Sequence, residues 1–91
     1  MEQEIATYIL KLKKAAESTR QAEDRPLYER HLACAAVLLA LVISDAEQTR
    51  VSSEVEAHER LWGTSWLADD VCSGPREAWQ QVKAALTSYT T

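Results

Sequence analysis

Residues 32–43 read Leu-Ala-Cys-Ala-Ala-Val-Leu-Leu-Ala-Leu-Val-Ile, twelve consecutive positions with no polar group beyond a thiol. A helix that is apolar on every side has no face to turn to water, so the run predicts a helix enclosed by its neighbours. Apolarity alone also permits a strand. Five of the twelve residues, however, are Ala or Cys (Ala33, Cys34, Ala35, Ala36, Ala40) and four are leucines, a mixture that favours helix over a Val- and Ile-rich buried strand. The run is too short to span a bilayer, which takes roughly 20 apolar residues, because charge closes it at Arg30 and Asp45. A secretory apolar segment should follow a short basic start, whereas here an amphipathic pattern comes first, beginning Met1-Glu2-Gln3-Glu4.

The spacing inside the run predicts how it packs. Ala33, Ala36 and Ala40 make one narrow ridge where another helix can approach closely. Leu38, Leu41 and Val42 form one bulky row, and Leu32, Leu39 and Ile43 another.

The remaining segments supply amphipathic partners. Ile5, Tyr8, Ile9, Leu12, Ala15, Ala16 and Thr19 recur at helical spacing and predict a helix over about 2–22. A short polar link follows, with Asp24 as N-cap and Pro26 in the first turn of a helix over about 26–48. Two long helices on a short link pack antiparallel. The next break is expected at Arg50–Ser53, where Ser53-Glu54-Val55-Glu56 has the form of a capping box. A third helix then covers about 54–68, with Val55, His58, Trp62 and Trp66 on one face and Gly63 as its interruption. Asp69–Gly74 is the clearest loop, and Pro75 opens a fourth helix over about 75–88 whose stripe is Ala78, Trp79, Val82, Ala85, Leu86 and Tyr89. The fold class is therefore all-α: a single domain, built as a small antiparallel bundle of three to four helices around a buried central helix. At 91 residues such a domain buries only about 60–65% of its unfolded surface.

Charge narrows the partners. The chain carries −4, and Ser44–Asp70 alone holds seven acids against two arginines, a net of −5. That sign disfavours nucleic acid and suits a basic protein partner. Cys34 and Cys72 are read as free thiols in a reducing cytoplasm. A Cys2His2 metal site from His31, Cys34, His58 and Cys72 matches no standard spacing, so no metal and no cofactor is expected. Glu54 and His58 lie four residues apart and suit a hydrogen-bonded pair, but no nucleophile motif or phosphate loop accompanies them.

No motif fixes a reaction, and the expectation is a non-enzyme: a small acidic protein-binding module of the inhibitor, immunity, chaperone or adaptor type. Its contact patch is placed at Trp62 and Trp66, aromatic anchors, with Glu59, Asp69 and Asp70 as a charged rim. The competing expectation is a small-ligand bundle or minor enzyme with a pocket near His31, His58 and Trp62. Homodimerisation is compatible with both, because the apolar run and the Trp face together exceed what a short chain covers.

Overall fold

In a computed structural model the described residues are 1–64, 67 and 72–89, with the side chains of 88 and 89 set aside. They form four helices: α1 (Glu2–Ser18), α2 (Arg25–Ile43), α3 (Gln48–Thr64) and α4 (Ser73–Tyr89), with a 3-10 turn at Ala22–Asp24 leading into α2. The chain is a small all-α bundle, 39 × 21 × 18 Å along its principal axes.

The helix at the centre is α1. It packs along both α2 and α4, while α3 lies along α2. Its stripe Ile5, Tyr8, Leu12 and Ala15 is fully enclosed, and the stripe of α4 (Ala78, Trp79, Val82, Leu86) closes over it from the other side. This corrects the expectation that residues 26–48 are wrapped on every side. Within the run 32–43 only Ala35 and Leu38 are buried; with Tyr28 and His31 they form the single face that α2 turns to the bundle. Ala33, Ala36, Val37, Ala40 and Ile43 are exposed. The reason is geometric. Each of the other helices has one narrow stripe to offer, and α1 and α3 both lie on the same side of α2.

The helix boundaries moved for local reasons. α1 stops at Ser18 rather than Ala22 because Thr19, a buried stripe residue, is extended and its hydroxyl accepts a hydrogen bond from the Gln21 backbone N–H at 3.2 Å. Threonine offers the chain this alternative to continuing a helix. Asp24 does precede α2, but its side chain makes no capping hydrogen bond.

The end of α2 falls at Ile43, not Gln48, and the expected break at Arg50–Ser53 lies inside α3. Asp45 takes a left-handed conformation (φ 55°), the Ala46 N–H donates to the Leu41 carbonyl at 3.0 Å, and the Asp45 N–H to that of Val42 at 3.2 Å. This is a Schellman stop, with aspartate in the place glycine usually takes. The Glu47 carbonyl then accepts the first bonds of α3 from Arg50 and Val51, so the Ser53–Glu56 sequence is helix interior and caps nothing. A β-branched side chain at φ 55° is strained where aspartate is tolerated. Asp45→Val should lower the unfolding free energy in a urea titration by about 1–2 kcal/mol, and Asp45→Gly should leave it at or above wild type.

Candidate functional site

All four helices send polar or aromatic side chains to one point. α1 contributes Tyr8, α2 His31, α3 His58 and Trp62, and α4 Trp79. Tyr8, His31 and His58 have no solvent exposure at all, and Trp79 has 2%. The rings touch in sequence. Trp79 stacks on His58 with centroids 4.4 Å apart, His58 and Tyr8 meet edge-on at 5.4 Å, and Trp62 lies against His31 at 4.1 Å.

A chain of hydrogen bonds threads these rings. The Trp62 indole N–H donates to the Tyr8 oxygen at 2.7 Å, and the Tyr8 oxygen lies 2.5 Å from His58 Nε2. Indole nitrogen only donates, so the tyrosine hydroxyl is free to send its own hydrogen to His58 Nε2. That direction leaves one unmatched group, the buried His58 Nδ1–H, which has no partner among the described residues. The reverse direction leaves two, the Tyr8 hydrogen and a bare Nδ1. We assign the first. His31 Nδ1 lies 3.4 Å from the same His58 nitrogen and completes the group.

Both imidazoles are held neutral. Burial, then the neighbouring His58 and Arg76, push the His31 pKa down to about 3; burial pushes that of His58 down to about 4, against a smaller upward pull from Glu59. Burial likewise drives the Tyr8 phenol well above its ordinary value. These are the properties of a sealed polar core. The expected Glu54–His58 hydrogen bond is not made, since Nε2 serves Tyr8 and Nδ1 has no partner.

The sequence-derived patch divides. Trp62 is half-buried, its indole N–H engaged by Tyr8 and its ring faced by the Arg76 guanidinium at 5.4 Å. The Glu59 carboxylate takes the Trp79 indole N–H as well as Lys83 Nζ at 2.8 Å, and these bonds hold its pKa below the usual carboxylate range. Both residues therefore brace α3 against α1 and α4. Trp66, Asp69 and Asp70 lie outside the described residues. The space expected near His31, His58 and Trp62 is filled by the rings themselves. What remains is an open groove of about 250 Å³ outside them, lined by Glu59, Trp62, Gly63, Arg76, Trp79 and Gln80.

His31 and His58 do meet, but Cys34 and Cys72 do not join them in a ligand set. Among the described residues no three His, Cys, Asp or Glu side chains are placed to hold a metal ion. Cys34 is half-buried, Cys72 is buried with its thiol on the Leu67 carbonyl at 3.5 Å, and both are free.

Sequence reasoning missed the outward face of α2. Ala33, Ala36, Val37, Ala40 and Ile43 fall on one side of the helix and are all exposed, Val37 at 49% and Ile43 at 62%. Half-buried Leu32, Leu39, Cys34 and Leu41 flank them, so the apolar surface continues round the helix. The charges at Arg30 and Asp45 set the apolar run itself short of a bilayer, but taken with the preceding turn, residues 22–43 are long and apolar enough to cross a membrane by length and composition alone. Leu10, exposed on α1, stands on the side opposite that helix's buried stripe. A lone exposed leucine is ordinary; a continuous apolar face marks a contact surface. Compared with known protein families, with curated proteins and with solved structures, the chain matches none.

Proposed function

We propose that this chain is a small protein-binding module whose contact surface is the outward face of α2. One observation carries the reading: twelve uninterrupted apolar residues of which the bundle encloses two, Ala35 and Leu38. Leaving that much apolar surface in water has no benefit to a monomer, and a partner surface removes the cost. The rigid helix beneath supports the idea, because the buried Tyr8–His31–His58 group pins α2 to α1 and α3 and fixes the face that is presented. Trp62 and Glu59 serve this scaffold. Asp45 and Glu47, just past the end of α2, and Glu54, which lines a groove with Val37 and Leu41, give the face an acidic border that suits a partner with basic residues beside its own apolar patch. Two free thiols fit a reducing compartment, so a cytoplasmic location belongs to the same proposal.

Ala36 sits in the middle of the face and is exposed, so Ala36→Glu should alter stability by no more than about 0.5 kcal/mol. A protein retained by immobilised wild type should be lost with Ala36→Glu and kept with Trp62→Phe. If Ala36→Glu retains it with unchanged affinity, the face of α2 is not the contact.

A further inference from the structure

We infer that α3 is an acid-released flap: it docks on α1 and α4 through the rings around His58, and protons on His58 and His31 detach it while α1, α2 and α4 stay packed. What covers the outward face of α2 has no bearing on this.

Three features set α3 apart. First, it buries little of its own. Of its 17 residues, Val51 and His58 alone are buried, whereas α1 encloses Ile5, Tyr8, Leu12 and Ala15 between α2 and α4. Second, the seam between α3 and α4 is open on both sides of the ring cluster. A groove of about 290 Å³ separates Val55 and Glu56 of α3 from Lys83 and Leu86 of α4. The groove of about 250 Å³ beside Trp62 and Arg76 lies at the other end. Between them the helices meet where His58 stacks on Trp79, and where the Glu59 carboxylate takes the Trp79 indole N–H and Lys83. Third, a pivot is in place. The Asp45 turn joins α3 to α2, and Val51, buried in the first turn of α3, holds that end.

His58 is therefore the clasp, and its partners Tyr8, His31 and Trp79 come from the three other helices. The groups around it do not welcome a charge. Tyr8 on α1 is a neutral phenol, raised by burial. On α2, burial and Glu54 push the Cys34 thiol up, so it too is uncharged. Glu59 on α3 favours a proton on His58, but its carboxylate is committed to Trp79 and Lys83. Arg76 on α4 opposes a charge on His31. A proton on either imidazole thus faces the other. Departure of α3 frees both, because His58 and Trp62, which lie against His31, leave with it.

The docked rings, buried above all, take protons only at about pH 3 and about pH 4, and the released ones near 6.5. Opening is therefore indifferent to pH above about 6.5 and favoured below it. At pH 5.0 each ring drives opening about 30-fold, and the two together about a thousand-fold. Off the bundle, a helix of 17 residues is marginal in water, so a released α3 frays.

Hydrogen exchange of the intact protein, followed amide by amide at pH 7.5 and 5.0 and corrected for its intrinsic pH dependence, is the test. Amides of α3 from Val55 to Leu61 should lose protection about a thousand-fold over that range. The stripe amides of α1 and α4 should fall too, through whole-molecule unfolding, but remain at least about ten-fold better protected at both pH values. His58→Met should cut the α3 fall to about 30-fold, the part that His31 supplies. Protection in α3 that is equal at the two pH values overturns the inference. So does α3 exchanging at one common protection with α1 and α4, which would make the opening global, and so does His58→Met losing the full thousand-fold. If that variant does not fold, the wild-type comparison of α3 with α1 and α4 decides alone.

Discussion

Lowering the pH from 7.5 to 5.0 should remove about 4 kcal/mol of folding stability. His31 and His58 are ordinary imidazoles in the unfolded chain, near 6.5, but are held at about 3 and about 4 in the folded one. A base whose folded pKa is depressed binds fewer protons folded than unfolded. Stability is therefore complete above pH 6.5 and declines as pH falls below it, levelling only near pH 4 for His58 and pH 3 for His31. Each imidazole contributes about 1.4 kcal/mol per pH unit inside its window, so a fall of 1.5 units below 6.5 costs about 2 kcal/mol apiece. For a domain of this size, with roughly 5–10 kcal/mol in hand, that is a large share. Urea titrations at the two pH values measure it. His58→Met, of similar bulk and without a titrating group, should halve the slope. Proton chemical shifts of the two imidazoles should show neither titrating above pH 5 while the protein is folded.

The second large effect is expected at Tyr8. Tyr8→Phe keeps the ring in contact with His58 and Trp79 and removes one oxygen. That oxygen accepts from the Trp62 indole and is the near partner of His58 Nε2, so its loss frees the indole and leaves His58 Nε2 only the longer contact to His31 at 3.4 Å. The Trp62 indole is near enough to the surface to find water, but His58 is sealed. A buried group left unpaired costs about 1–3 kcal/mol, and the net loss on thermal or urea unfolding should be about 2–3 kcal/mol. Trp62→Phe in the Tyr8→Phe background should cost far less than in wild type, because the bond it breaks is already gone. Equal costs in both backgrounds would mean the Trp62–Tyr8–His58 chain does not act as a unit.

Tyr8, His31 and His58 show how much of the structure is legible in the sequence. Tyr8 stood in the α1 stripe, and Ile5, Tyr8, Leu12 and Ala15 all proved buried, as did Ala78, Trp79, Val82 and Leu86 on α4. A clear alternation of apolar and charged residues states which way a helix faces. The α2 run has no such alternation. With every position apolar, the sequence says that the helix avoids water without saying which side meets the bundle, and the burial of His31 with exposure of Ile43 follows only from where α1 and α3 lie. From the sequence His31, His58 and Trp62 are expected about one pocket, and the three side chains do meet, but as packed rings rather than around a space, with Tyr8 and Trp79 filling it. The α2–α3 turn was misplaced because aspartate does the work of the glycine that would have signalled it. Trp62 and Glu59 are neighbours on α3, and their hydrogen bonds to Tyr8, Trp79 and Lys83 tie α3 to α1 and α4 while the Glu59 side chain stays exposed.

The chain has three isoleucines, Ile5, Ile9 and Ile43, and they sample the structure from its centre to the open face of α2. The first measurement to make is a methyl spectrum with only isoleucine labelled, at high dilution, with a soluble paramagnetic agent added. An α2 helix open on one side requires the Ile43 methyl to be broadened strongly, Ile9 weakly and Ile5 not at all. An Ile43 methyl as sheltered as Ile5 at high dilution would show α2 enclosed within a single chain, and would contradict the binding face.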